Sequence, residues 1–271
     1  MGILPKNFFA KVDIFAEKCY TVGMKPYEYI EDFKIKFCDV DFKDEIKPSI
    51  ALALMEEVAC LSAHELGFGY EYLKPRGYAF MVTNLHLEFV RPIALQEVVR
   101  VKTWPTPPTH VIFGREYLFE TQTGEACIRA TSRWCLIDMK AGKLAQSKVI
   151  DNQDYSTYNT KKLFDGVKWK QPVFSADEGE LRFSMTVANS EYDHNLHVNN
   201  TRYADYCMNC FSVAELATRK LKTFSIAYVK QCKEGGFLRF YRKQGEDEAY
   251  LVQGVNQAEE IVVQARVAFE G

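Results

Sequence analysis

Residues Glu191 to Tyr206 read EYDHNLHVNNTRYADY, and they set a carboxylate, a carboxamide and an imidazole at alternate positions, Asp193, Asn195 and His197. If the run is extended, the three side chains point to one side of the backbone. The Asn199-Asn200-Thr201 cluster that follows carries the chemistry of a helix N-cap. Beyond it Tyr203, Tyr206, Cys207, Cys210, Phe211, Ala214, Ala217 and Leu221 recur at intervals of three and four, which predicts one helix with a single apolar face running to about Leu221. An ionisable trio thus precedes a helix start, where free N–H groups and the positive dipole end can stabilise an oxyanion. A hydrolytic site is one reading. The other is ordinary loop and cap chemistry, in which Asp and Asn are common.

Outward from this stretch, the pattern occurs twice. Tyr27 to Cys38 alternates as a strand with Phe33, Ile35 and Phe37 on one face, and Pro48-Ser49 opens a helix from Ile50 to Leu66. That helix is apolar around most of its circumference, Glu56 and Glu57 excepted, as befits a helix wrapped by a sheet. Strands follow at Tyr78 to Val90, Val98 to Trp104, His110 to Glu120 and Ala126 to Asp138, separated by Pro105-Thr-Pro107-Pro108, Thr123-Gly124 and Lys140-Ala-Gly142. After a polar segment, Asp151 to Val173, a second round begins. It has a strand at Glu180 to Val187, the quoted stretch with its helix, and strands at Phe224 to Cys232, Phe237 to Lys243, Ala249 to Asn256 and Ile261 to Phe269.

Laid over each other at an offset of 150 (193 − 43), the rounds align Asp41 to Ser49 with Glu191 to Asn199. Positions 42 and 192 are then both aromatic, and 46 and 196 both aliphatic. Lys43, Glu45 and Lys47 stand where Asp193, Asn195 and His197 stand in the second round. Only the second copy keeps the chemical trio, which leaves the first for another task.

Composition narrows the class. The chain has 271 residues, 47% hydrophobic and 26% charged, with a net charge of −2, which suits two globular domains and gives no overall attraction to nucleic acid. Aromatic content of 14% fits β-rich architecture. The eight cysteines, at 19, 38, 60, 127, 135, 207, 210 and 232, form no disulfide framework, so a reducing, cytoplasmic location is expected. Cys207 and Cys210 fall on the apolar helix face and read as buried thiols rather than metal ligands. Near the start, Phe8, Phe9, Val12, Phe15, Ala16 and Cys19 mark a short amphipathic helix, and no run is long enough to span a membrane.

The run Asp-x-Asn-x-His-Val-Asn-Asn-x-x-Tyr, Asp193 to Tyr203, resembles the signature of the acyl-ACP thioesterases, a family of tandem hot-dog proteins. The resemblance covers the chain from about Tyr27 onward. It implies an α+β double hot-dog fold, two antiparallel sheets each wrapped around a long central helix. Residues 1–26 would then be an N-terminal segment, 27–150 a first hot-dog domain with the acyl-chain pocket, 151–173 a linker, and 174–271 a second hot-dog domain with the catalytic motif. It further implies that Asp193, Asn195 and His197 are catalytic, together with a Glu-Cys pair on a later strand. Here Tyr228-Val-Lys-Gln231-Cys232 is similar to that strand but carries Gln231 in place of Glu. Plant members bear a plastid transit peptide; this chain starts almost directly, and so is similar to a bacterial form.

The implied activity is hydrolysis of acyl-[acyl carrier protein] to free fatty acid in fatty acid biosynthesis, with acyl carrier protein as partner and no cofactor. The molecule would be a monomer mimicking a hot-dog dimer, or a homodimer. An acyl-CoA thioesterase and a non-catalytic acyl- or carrier-binding hot-dog protein are the alternatives. His197 is the natural base near neutral pH. Asn195 can polarise the carbonyl or hold water, and Asp193 can orient or charge-balance its neighbours. Backbone N–H groups at Asn199 and Asn200 are candidate oxyanion donors. Cys232 is either a nucleophile or a buried strand thiol. Ala53, Ala59 and Met81 are candidate walls of the acyl pocket. Arg202, Arg219, Lys220, Lys222, Lys230, Lys233, Arg239, Arg242 and Lys243 offer a docking patch for the acidic carrier. No G-x-S-x-G elbow, G-x-G-x-x-G or phosphate loop is present, and His64, His86 and His110 have no metal-ligand spacing.

Overall fold

Strand runs that alternate in polarity need a partner on their apolar side, and here the partners are the helices of the two rounds. The computed structural model describes residues 26–150, 157–193, 195–245 and 247–271. The amphipathic helix expected between Phe8 and Cys19 lies outside these residues. In chain order the elements are β1 (Tyr29–Lys34), α1 (Pro48–Glu65), α2 (Tyr70–Leu73), β2 (Tyr78–Phe89), β3 (Val98–Pro105), β4 (Ile112–Thr121), β5 (Ala126–Asp138) and β6 (Lys143–Ala145). The second round supplies β7 (Glu180–Thr186), α3 (Asn200–Met208), α4 (Val213–Ala217), β8 (Leu221–Tyr228), β9 (Phe237–Gln244), β10 (Tyr250–Val255) and β11 (Ile261–Phe269).

All strand pairs are antiparallel. An antiparallel sheet carrying helices agrees with the expected class, but two separate sheets are not seen. The strands form one sheet in the order β1-β3-β4-β5-β2-β8-β11-β10-β9-β7, with β6 added to β5. The join is β2 against β8, Asn84–Glu88 facing Thr223–Ala227, and it removes two edges that would otherwise present unpaired backbone groups. His86 Nδ1 and Ser225 Oγ, 2.7 Å apart, tie the same seam through side chains.

Helix α1 buries Leu52, Met55, Val58 and Ala59 among Leu85 and Leu87 of β2, Val99 and Val101 of β3 and Phe119 of β4. Burial of each such large apolar side chain contributes about 1.5–3 kcal/mol. The same cluster runs on into Tyr203, Cys207, Phe224 and Ile226, so the two rounds share one core.

Several sequence expectations change. The first strand ends at Lys34, short of Cys38. The chain turns through Phe37–Asp39, and Phe37, expected inside, is 75% exposed. The single second helix is broken in two. Ser212 starts α4 with a capping box, its Oγ accepting from Glu215 N (3.2 Å) while Glu215 Oε2 accepts from Ser212 N (2.8 Å). Glu215 also meets Arg242 (2.7 Å) and Arg182 (3.1 Å), and the backbone N–H of Ser212, followed by Arg242, pulls its carboxyl down to about 2 against the opposing effect of burial. This strong local signal overrides the continuous period. Ala214 and Ala217 are therefore exposed, and Leu221 belongs to β8.

The polar segment before β7 is more than a tether. From residue 157 onward it crosses the face of the sheet opposite α1. Trp104 Nε1 donates to Lys161 O (2.8 Å), Leu163 N to Glu116 Oε2 (3.1 Å), Asn84 Nδ2 to Trp169 O (3.2 Å) and Gln264 Nε2 to Pro172 O (3.2 Å). It thereby straps both rounds.

Candidate functional site

The quoted stretch does not run extended. Tyr192 and Val198 pair as an isolated antiparallel bridge, and the chain between them closes into a turn. Asp193 N donates to His197 O (2.9 Å), Leu196 N to Asp193 O (3.1 Å) and Asn199 N to Glu191 O (2.8 Å). The Asp193 carboxylate sits inside the turn, its Oδ1 accepting from Asn195 N (2.8 Å) and His197 N (3.4 Å). The trio thus belongs to one tight turn, not to one face of a strand. Leu196 at the turn's tip has φ +60°, a left-handed conformation unfavourable to leucine, and is 78% exposed.

The side chains that remain for chemistry are His197, half-buried, and Asn195, exposed. Among the described residues neither the imidazole nor the carboxamide makes a hydrogen bond. Asn199 caps α3 as the sequence predicts, its Oδ1 accepting from Thr201 N (2.8 Å) and Thr201 Oγ1 (2.7 Å). Its own N–H is spent on Glu191 O, so of the two expected oxyanion donors only the Asn200 N–H is unpaired among the described residues. Asn200 O accepts from Tyr228 Oη (2.9 Å). Burial raises the Tyr228 phenol well above its ordinary range, and the Cys207 thiol and the Glu56 carboxylate of α1 push the same way.

Gln231 and Cys232 do not lie on a strand, because β8 ends at Tyr228 and the N–H groups of Val229 and Lys230 both turn to Val262 O. Gln231 is exposed. Cys232 is 7% exposed, and burial raises its thiol pKa, partly offset by the Tyr203 hydroxyl beside it. That hydroxyl is buried and has no hydrogen-bond partner of ordinary geometry. A second tie to the turn runs from Glu234 N to Tyr192 Oη.

Ala53 lines a cleft of about 290 Å³ with Ser49 and Ile50 of α1 and Glu191, Asn199 and Thr201 from the second round. Asp205, which sequence reasoning passed over, lines it too. Burial raises its carboxyl, and a Ser49 hydrogen bond acts against that. It stands two residues after Tyr203 on α3, off the apolar face, so helical periodicity was the signal available. Ala59 is buried on the sheet side of α1. Met81 is not a wall: strand alternation turns Phe80 and Val82 toward the helices and leaves Met81 exposed.

The first round builds the same turn without the Asn and His side chains. Val40 and Ile46 form the bridge, Asp41 N donates to Glu45 O (2.8 Å), Asp44 N to Asp41 O (3.1 Å) and Lys47 N to Asp39 O (3.0 Å). Asp41 Oδ1 accepts from Lys43 N (2.8 Å) and Glu45 N (3.3 Å), and Asp44 has φ +59°. Each partner lies 152 residues before its counterpart (193 − 41), as does the helix start (200 − 48). The offset is therefore 152, not 150. Aromatic and aliphatic matches suggested the shorter register, but the turn's hydrogen bonds decide it. The Asp is common to both copies, and only Asn195 and His197 are replaced, by Lys43 and Glu45.

The expected basic patch is largely neutralised. Arg202, Lys220, Lys230, Arg239, Arg242 and Lys243 are paired with carboxylates, and Arg219 donates to Tyr250 Oη (2.8 Å). Lys222 and Lys233 alone of the nine have no partner among the described residues.

Residues 26–152 match the family model of the acyl-ACP thioesterase N-terminal domain, and residues 175–270 that of the acyl-ACP thioesterase C-terminal domain. The chain is 21% identical over 238 residues to oleoyl-acyl carrier protein thioesterase 2, chloroplastic, of Arabidopsis thaliana, covering 77% of this chain and 60% of that protein. It is 24% identical over 168 residues to a chloroplastic acyl-[acyl-carrier-protein] hydrolase of Cuphea viscosissima, covering 60% of this chain and 40% of that one. Among solved structures, an acyl-ACP thioesterase from Bacteroides thetaiotaomicron superposes with a TM-score of 0.81 at 21% identity, covering 90% of this chain and 98% of that one. The 12:0-ACP thioesterase from Umbellularia californica gives 0.79 at 18%, covering 90% and 97%. At these identities the superpositions speak for the fold.

Proposed function

Because this chain belongs to the acyl-ACP thioesterase family, we propose that it hydrolyses the thioester of an acyl-[acyl carrier protein], releasing free fatty acid and carrier. The observation that carries this reading is the pair His197 and Asn195, whose side chains have no hydrogen-bond partner among the described residues and which a hydrogen-bonded turn holds directly ahead of the α3 N-terminus. His197 takes a proton from water as the water oxygen attacks the thioester carbon. Asn195 holds that water or the carbonyl. The oxyanion of the tetrahedral intermediate is met by the Asn200 N–H and the helix dipole. Collapse expels the carrier thiol, which takes the proton back from His197. Asp193 shapes the turn rather than moving protons.

In this reading residues 174–271 do the chemistry, and residues 27–150 house the acyl chain along the apolar side of α1, past Ala59. The repeat of the turn 152 residues apart supports two hot-dog units in tandem. The decisive assay is purified protein against acyl-ACPs of several chain lengths, with released acids identified by mass spectrometry and matched acyl-CoAs in parallel. Acyl-ACP is expected to show the higher kcat/KM. A higher value on acyl-CoA would make CoA the carrier, and tight binding without release would make the protein a carrier-binding module.

Water is the nucleophile in this scheme because Cys232 is buried and its thiol is shifted away from thiolate formation. Cys232→Ala is expected to keep most activity in steady-state assays. Gln231→Ala should lose more, since an exposed amide can position water, and Gln231→Glu should be tolerated. A covalent acyl group on Cys232 in a quenched turnover sample, with a folded but dead Cys232→Ala variant, would reverse the choice of nucleophile.

A further inference from the structure

A buried guanidinium inside the first round is used by nothing described above. Arg115 of β4 is 6% exposed and points to the α1 side of the sheet, between Phe113 and Tyr117 on the same strand face. Its Nη1 donates to Ser62 Oγ of α1 (2.8 Å) and Thr103 Oγ1 of β3 (3.2 Å). Among the described residues it makes no other hydrogen bond and pairs with no carboxylate, so Nε and Nη2 are unused. Hydroxyl groups surround it. Tyr27 Oη donates to Ser62 Oγ (3.3 Å), Tyr117 Oη and Ser132 Oγ are 3.1 Å apart, and Trp134 Nε1 donates to Ser132 Oγ (2.7 Å). This polar layer separates two apolar clusters, one around Met55, Val58 and Phe119, the other around Ala63, Phe68 and Leu136. Burial presses the guanidinium toward losing its charge, and the phenols of Tyr117, Tyr27 and Tyr158 and the Cys60 thiol oppose this. A desolvated charge with no carboxylate partner is costly, and chains retain one where a ligand or a network completes it.

We propose that Arg115, with Ser62 and Thr103, forms a subsite for an oxygen-bearing far end of the acyl chain: a hydroxyl, an oxo group or a carboxylate. The proposal rests on the reading that the chain lies along α1 in the first round. From Ala53, at the cleft beside the motif turn, to Ser62 is nine residues, or about 14 Å of helix, within reach of a medium-length acyl chain. The free Nε and Nη2 donors form a planar fork that suits a carboxylate best, whereas a terminal methyl leaves both unmet.

Two measurements test this. The first compares hydrolysis of length-matched acyl-ACPs ending in methyl, hydroxyl or carboxylate by the wild type and by Arg115→Met, which keeps the bulk without the charge. The wild type should favour an oxygenated end by about tenfold or more in kcat/KM, and Arg115→Met should reverse that order. The second is thermal unfolding with free ω-hydroxy or α,ω-dicarboxylic acids, which should raise the Tm of the wild type and not of the variant. If Arg115→Met does not fold, the wild-type preference and the wild-type Tm shift decide between them. Preference for methyl ends, with no Tm shift from the free acids, overturns the subsite and leaves Arg115 as a structural floor. Failure on every thioester, with the Tm shift present, instead tells against the hydrolase reading alone.

Discussion

Replacing His197 with alanine should lower turnover on acyl-ACP by about 10²–10⁴-fold, the usual worth of a positioned acid–base group, while the fold survives. The separation of the two effects follows from how the residue is held. The turn uses the His197 backbone, whose N–H donates to Asp193 Oδ1 and whose carbonyl accepts from Asp193 N. Among the described residues the ring makes no hydrogen bond, so its removal leaves the hydrogen bonds described for the turn unchanged. Steady-state kinetics beside thermal unfolding checks this. A folded variant with near-normal turnover would take His197 out of the mechanism.

The second large effect distinguishes shape from charge at Asp193. Asp193→Ala deletes both bonds to the Asn195 and His197 N–H groups, in a turn already strained at Leu196. A displacement of about 1 Å at a reacting group can cost 10²-fold, so a loss near that size is expected. Asp193→Asn keeps an acceptor oxygen at the same position and removes only the charge. It should stay within about tenfold of the wild type, consistent with a turn-building role. The first round supplies the control. Asp41 makes the same bonds in a turn that carries Lys43 and Glu45 in place of Asn195 and His197, so Asp41→Ala should cost about 1–3 kcal/mol in chemical denaturation and leave kcat nearly unchanged. If Asp193→Asn proves as inactive as Asp193→Ala while folded, the carboxylate has a chemical role and the turn-building account is wrong.

The repeated strand–helix–strand order, α1 and most strand boundaries were legible because each rests on local periodicity, and local periodicity is what a sequence displays directly. The Asn199 cap was legible for the same reason, since its hydrogen bonds reach only two residues along the chain. Even locally a competing signal could prevail. The capping box at Ser212 and Glu215 ended a helix that the apolar spacing alone would have continued to Leu221.

What the sequence determined by itself was the Asn199 cap, the helix that follows it and the twofold repetition of the chain, all set by neighbours in sequence. What only the tertiary structure decided was the relation between distant parts. The β2–β8 join merges two expected sheets into one because open edges demand partners from elsewhere in the chain. The 152-residue register, and with it the common role of Asp41 and Asp193, appears only when backbone hydrogen bonds can be compared across the two rounds. Met81 turns outward, Ala53 meets the second round at the cleft, and Arg115 is buried against hydroxyls of α1 and β3. Burial is a property of what packs against a residue, and those partners come from strands and helices far away in sequence.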